Sequence, residues 1–158
     1  MAALPASVWR NPVHFAAFGF GSGAVPVAPG TFGTLMGALL YLLLPEMSWL
    51  AYVGFLLSSF ALGVYVCGKT AHDIGVHDHG GIVWDEFVGF WITMFLAPPG
   101  AGWLLAGFVL FRFFDIVKPW PIRWLDRNVS GGFGVMIDDV LAGLMALACL
   151  QLAAVFIF

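Results

Sequence analysis

Charge in this chain is confined to three short windows, and the long stretches between them carry almost none. Apart from Arg10 and Glu46, every Asp, Glu, Lys and Arg falls within 69–86, 112–127 or 138–139. Residues 87–111 hold no charged side chain at all, and they follow directly on the adjacent acids Asp85 and Glu86. A soluble domain carries roughly a quarter of its residues as charges. Here the share is 9%, against 61% hydrophobic, so the chain reads as an integral membrane protein. Its 158 residues suit one compact domain, 1–158.

Five apolar segments can be marked. A stretch dense in glycine and proline, 13–34, is expected to prevent a regular helix. The first run, 34–44, follows it and is stopped by Pro45. Counted from Thr31 that run is short of the ~20 residues a spanning helix needs. Residues 49–68 make the second. Ala97-Pro98-Pro99-Gly100 then breaks a longer run into 80–97 and 101–117, two spans joined by a Pro-Pro-Gly hairpin. At 1.5 Å per residue, 80–97 is ~27 Å long, close to the ~30 Å hydrocarbon thickness. Asp85 and Glu86 then lie between one and two turns inside its inner end, with Arg112 and Asp115 of the next span at similar depth. Lys118-Pro119-Trp120-Pro121 closes that span. Residues 122–127 read as a short helix lying in the interface, 131–134 as a flexible glycine loop, and 140–158 as a fifth span opened by Asp138 and Asp139.

The expected fold is therefore all-α: a polytopic membrane bundle of about five spans, with the N-terminus inside and the C-terminus outside. Arg10, Lys69, Arg112, Lys118, Arg123 and Arg127 then lie in or next to one face and none near the other, the positive-inside pattern. Reading 87–111 as a single crossing would part Lys69 from the later basic residues. Residues 1–12 have neither a positive n-region nor an apolar h-region, so no cleavable signal peptide is expected. The net charge of −3 argues against nucleic acid as a partner. Cys67 and Cys149 sit in apolar runs, where packing is favoured over a disulfide.

Acids at membrane depth are costly unless neutralised, and read by default as functional. Asp85, Glu86, Asp115, Asp138 and Asp139 fall on one face, with His77, Asp78 and His79 nearby. Mg2+ takes carboxylate oxygens together with water and substrate phosphate, so these five acids are candidate metal ligands. Plainer roles exist: acids at helix starts are favoured by the helix dipole, and Arg112 with Asp115 has i, i+3 spacing for an ion pair. Pro29-Gly30-Thr31-Phe32-Gly33-Thr34 immediately precedes an apolar helix, so Gly30, Thr31 and Thr34 could present N–H and hydroxyl groups to a phosphate. The plain alternative is a glycine-rich loop with a threonine cap. Lys69, Arg112, Lys118, Arg123 and Arg127 could pair with phosphates. Arg123 and Arg127 could equally anchor the membrane surface with Trp120 and Trp124.

Absent patterns narrow the chemistry. Cys67 is not followed by the arginine of a Cys-x5-Arg loop, and neither an Asp-x-Asp-x-Thr motif nor the aspartate pattern of phospholipid-synthesising transferases occurs. Metal-assisted attack is the simpler reading.

Four segments in order carry a family likeness: Gly19-Phe20-Gly21-Ser22-Gly23 with Ala28-Pro29-Gly30-Thr31-Phe32-Gly33-Thr34; Val76-His77-Asp78-His79-Gly80-Gly81-Ile82-Val83-Trp84-Asp85-Glu86-Phe87-Val88-Gly89; Phe111-Arg112-Phe113-Phe114-Asp115-Ile116-Val117-Lys118-Pro119-Trp120-Pro121-Ile122-Arg123-Trp124-Leu125-Asp126-Arg127; and Gly131-Gly132-Phe133-Gly134-Val135-Met136-Ile137-Asp138-Asp139-Val140-Leu141-Ala142-Gly143. Together they resemble the phosphatidylglycerophosphatase A family, over about 11–147. The resemblance implies a Mg2+-dependent, multi-pass enzyme of the bacterial inner membrane with its site on the cytoplasmic face. Its substrate would be phosphatidylglycerophosphate, cleaved to phosphatidylglycerol and inorganic phosphate. Asp85, Glu86 and Asp138 or Asp139 would hold the metal. The 31–34 loop, Lys69 and Arg112 would stabilise charge on the phosphate oxygens, and Lys118 and Arg123 would hold the bridging phosphodiester. His79 or Asp78 would protonate the leaving alkoxide, and either water or a carboxylate could be the nucleophile. Two other classes stay open: a different metal-dependent enzyme on a phospholipid headgroup, and a small cation channel or carrier lined by the acids. Against the channel, the acids cluster on one face and none lies mid-span.

Overall fold

A computed structural model of the chain describes residues 4–76 and 79–157. His77 and Asp78 lie outside the described residues. Among the described residues every regular element is helical: α1 (Pro12–Ala17), α2 (Pro29–Leu42), α3 (Trp49–Ile74), α4 (Trp84–Thr93), α5 (Ala101–Val117), α6 (Ile122–Asn128) and α7 (Gly131–Ile157), with short 3-10 turns at Ala6–Trp9 and Gly19–Ala24. The all-α expectation holds.

Two helices are long and apolar enough to cross a membrane, α3 with 26 residues and α7 with 27. Only 22% and 28% of their most apolar windows is buried, so most of that surface faces outward. Leu42, Leu57, Leu105, Val109, Ile116 and Val155 are likewise exposed along α2, α3, α5 and α7. A coat of large aliphatic side chains this extensive suits lipid better than water.

Three local expectations are corrected. Regular helix does form within 13–34, and Pro12 and Pro29 open its two helices instead of preventing them. Asn11 caps α1 by accepting from the Val13 N–H (2.9 Å) with Pro12 in the first turn, and α2 begins on Pro29. Proline is tolerated at a first helical position because its absent N–H would have had no partner there.

The third apolar helix is much shorter than 80–97. α4 has ten residues, ~15 Å at 1.5 Å per residue and half the hydrocarbon thickness. Residues 79–83 stay out of it because they are tied elsewhere: the Val83 N–H donates to the Ala17 carbonyl (2.9 Å) and the Ile82 N–H to that of His79 (2.8 Å). Asp85 and Glu86 therefore stand in the first turn of α4, not one to two turns inside. Pro98, Pro99 and Gly100 do separate α4 from α5.

Residues 131–134 are the first turn of α7, not a loop. The glycines here serve close packing. A Cβ on Gly132 would run into the Val64 carbonyl and the Gly68 backbone of α3, so only a bare backbone lets the two longest helices touch at this end. Asp138 and Asp139 consequently lie about two turns inside α7 rather than at its start.

α4 is the hub of the bundle. It packs against α2, α3, α5 and α7, and every one of its residues except Asp85 is buried. Trp91 donates its indole N–H to the Gly37 carbonyl of α2 (2.9 Å), and Trp84 donates to Ser59 of α3 (3.1 Å). These bonds orient α4 so that its first turn meets the C-terminal end of α5 and the acids of α7. α6 packs on α7 at the same end. Cys67 and Cys149 are free thiols, with Cys67 buried.

Candidate active site

The polar ends of α2, α4, α5, α6 and α7 surround one cavity of about 220 Å3. Its walls carry six carboxylates, Asp85, Glu86, Asp115, Asp126, Asp138 and Asp139, together with Gly30 and Lys118. All five candidate metal ligands are thus brought to one place by three chain segments far apart in sequence.

Glu86 is 8% exposed and fully engaged. Both its oxygens accept from Arg112 Nη1, at 2.7 and 2.6 Å, and Oε2 also lies 2.7 Å from the Thr34 hydroxyl. That hydroxyl is also 2.9 Å from the Gly30 carbonyl and has one proton to give, so the Glu86 contact competes with its own helix. Arg112 Nη1 reaches Asp115 Oδ2 as well, at 2.6 Å, forming the i, i+3 pair expected from the spacing. On the far wall, Lys118 Nζ donates to Asp138 Oδ2 (2.7 Å) and Asp126 Oδ1 (2.9 Å). Lys118 adopts a left-handed backbone with φ 45°, closing α5 through its N–H to the Phe114 carbonyl (2.8 Å). Burial would pull the Lys118 pKa down, but the hydrogen bonds to Asp138 and Asp126 outweigh it and hold the ammonium above its ordinary value.

Two cations, Arg112 and Lys118, therefore face six acids. Oδ1 of Asp85, Oδ1 of Asp138 and Oδ2 of Asp139 are buried with no hydrogen-bond partner among the described residues, as is Arg112 Nε. Buried polar atoms are partnered in roughly nine cases of ten, so three orphaned carboxylate oxygens on one cavity suit a cation. Glu86, Asp115 and Asp139 each offer an oxygen within 4.8 Å of the others. Opposed ligands of one Mg2+ stand about 4.2 Å apart, twice its bond length. The donor set, all oxygen and all anionic, is the hard set that Mg2+ prefers.

Gly30 lines the cavity, and a Cβ there would fall on Glu86 Oε1 and close to Arg112. Thr31 does not line it, and its N–H is already given to the Ala28 carbonyl (3.0 Å). Lys69 lies elsewhere: its Nζ is 2.8 Å from Asp73 Oδ2, which also meets His14 Nε2 at 3.1 Å. Arg123 lines a separate cavity beside this one. His79 borders a third, about 350 Å3, which adjoins the acidic one through Gly80. Its Nδ1 accepts from the Gly81 N–H (3.0 Å), and Nε2 is buried without a partner among the described residues. A neutral ring therefore carries its hydrogen on Nε2. Asp78, expected near the site, lies outside the described residues. Sequence reasoning did not assign Asp126 to the site; its place one turn after Ile122 on α6, close to Lys118, was the only available signal.

Comparison with known proteins gives a consistent result. The family model of phosphatidylglycerophosphatase A matches residues 15–154. The Escherichia coli phosphatidylglycerophosphatase A is 51% identical over 137 residues, covering 86% of this chain and 80% of that protein. The Haemophilus influenzae phosphatidylglycerophosphatase A is 52% identical over 138 residues, covering 86% and 85%. A Bacteroides thetaiotaomicron protein provisionally named a phosphatidylinositol-3-phosphatase is 41% identical over 144 residues, covering 85% and 89%. No solved structure matches.

Proposed function

Since the chain belongs to the phosphatidylglycerophosphatase A family, we propose that it hydrolyses the terminal phosphomonoester of phosphatidylglycerophosphate with Mg2+ in the carboxylate cavity. The products are phosphatidylglycerol and inorganic phosphate. The observation that carries the metal requirement is the charge imbalance of the cavity. A phosphate dianion does not enter a buried site where six acids face two cations unless further positive charge accompanies it.

Asp85, Asp138 and Asp139 have the oxygens to hold the ion, with Glu86 and Asp115 beside them. Bound there, Mg2+ would screen the phosphoryl oxygens and acidify a water ligand. Arg112 Nε–H is oriented by the bonds Nη1 makes to Glu86 and Asp115, and is left to donate to a phosphoryl oxygen. Asp139 or Asp85 takes the proton from the attacking water. Water adds to phosphorus opposite the ester oxygen, the bond to that oxygen breaks, and the departing alkoxide takes a proton. That proton comes back from Asp139 or Asp85, whichever took it from the water, while His79 Nε2–H can hydrogen-bond the departing oxygen, and Thr34 holds Glu86 in register on α4.

The reading places the site on the cytoplasmic face of a bacterial inner membrane, in a chain that crosses five times with its N-terminus inside. The one-sided distribution of Lys and Arg supports it. α2, α4 and α5 are short for a full crossing, so local thinning of the bilayer accompanies this arrangement. Single-cysteine labelling would find residues 46 and 99 reachable from outside and 69 from inside; the reverse overturns the topology.

The direct test is phosphate release by detergent-purified protein. Phosphatidylglycerophosphate should be cleaved with Mg2+ and spared with EDTA. Faster cleavage of phosphatidic acid would move the substrate assignment, and ion flux in vesicles without phosphate release would replace it.

A further inference from the structure

A second cavity, opposite in sign, adjoins the acidic one. It measures about 470 Å3, and its wall includes Lys118, Trp120, Arg123, Trp124, Arg127 and Asn128, with no acid among the described residues that line it. Lys118 borders both cavities. α6 is the partition between them, sending Asp126 to the acidic side and Arg123 and Arg127, one turn apart, to the basic side. Neither guanidinium has an acidic partner among the described residues. Among the described residues the Arg123 side chain donates only to the Val117 carbonyl (3.1 Å), and the Arg127 side chain makes no hydrogen bond or ion pair. Trp120 and Trp124 are 81% and 58% exposed at the same wall, the habit of indoles at headgroup depth.

Two neighbouring cavities of opposite sign match a ligand with two phosphates of different chemistry. A phosphomonoester carries two charges and is a good metal ligand, which suits the carboxylate side. A phosphodiester carries one charge and no proton, and the fork of a guanidinium fits its two free oxygens. The proposed substrate has both, joined by a single glycerol. Resting on the phosphatase reading, we infer that Arg123 and Arg127 grip the internal phosphodiester and select lipids that carry it over lipids with a terminal phosphate alone.

The test uses full-length protein in zwitterionic detergent with two short-chain substrates, dihexanoyl phosphatidylglycerophosphate and dihexanoyl phosphatidic acid. Wild type should prefer the first. Arg123→Gln and Arg127→Gln together should raise KM for the first by about tenfold, the effect of losing one charged hydrogen bond. They should leave kcat, and both constants for phosphatidic acid, within about twofold. Arg127→Lys should restore part of the KM, which also guards against a folding defect. Equal losses on both substrates, no loss, or a loss seen only on anionic vesicles overturns the inference, the last by assigning these arginines to surface anchoring. A wild type that cleaves neither lipid brings down the phosphatase reading itself, and selection with it.

Discussion

Arg112 Nη1 lies within 2.7 Å of both carboxylate oxygens of Glu86, a residue 26 positions earlier on a different helix. The same nitrogen holds Asp115. One cation thus joins the first turn of α4 to the last turn of α5, with the three side chains only 10–14% exposed. Removing it leaves two acids crowded together. Arg112→Gln is expected to cost about 3–5 kcal/mol of stability, the range for one partner lost from a buried pair, and to abolish turnover. Thermal unfolding in detergent reads the first effect and phosphate release the second. A variant with unchanged melting would mean that the pair is solvated.

Neutralising single acids separates holding from supporting roles. Asp139→Asn and Asp85→Asn are each expected to lower kcat by about 100-fold or more, with expression unchanged. Near-normal turnover in Asp85→Asn would remove that residue from the mechanism.

Metal should also be visible without turnover. Mg2+ at a hundredfold excess over its dissociation constant is expected to add about 2.7 kcal/mol to the folded state, raising the melting temperature. EDTA should reverse the rise, and Asp139→Asn should require more Mg2+ for the same shift. A melting curve indifferent to Mg2+ in wild type would contradict the assigned donor set.

Glycine positions give a contrast within one residue type. Gly30→Ala puts a methyl group against Glu86 and Arg112, and activity is expected to fall by roughly tenfold or more as those side chains shift. Gly54 has open space around it, so Gly54→Ala should leave activity alone and stabilise α3 by about 0.5–1 kcal/mol. Equal activity in both variants would show that the approach of α2 to Glu86 is loose.

Lys69 supplies a negative control. Its partner is Asp73, and its side chain is 44% exposed. Lys69→Ala is expected to leave the melting temperature nearly unchanged, as for other exposed pairs, and to leave kcat/KM intact. A large drop in kcat/KM would return Lys69 to the phosphate site.

The gathering of Asp85, Glu86, Asp115, Asp138 and Asp139 was legible because charge in so apolar a chain has few places to go. The helical class and the break at Pro98-Pro99 were legible for the same local reasons. The length of α4 was not. Apolar content runs on from Gly80, and only the bonds from Val83 to Ala17 and from Ile82 to His79 stop the helix there. Gly131 to Gly134 misled in the other direction: glycine signals a turn locally, but here it answers to the backbone of α3. The partner of Lys69 was hidden because the apolar run ends the second span at residue 68, whereas α3 runs on to Ile74 and sets Asp73 at i+4.

Gly132 has a bearing on the acids that its own chemistry does not suggest. It sets how tightly α3 and α7 close at the charged end of the bundle, and α7 carries Asp138 and Asp139 two turns further along. A side chain at that seam would act as a wedge, levering α7 outward and drawing its two aspartates off Glu86 and Asp115. The alignment of the acids therefore hangs on a pivot with no functional group of its own.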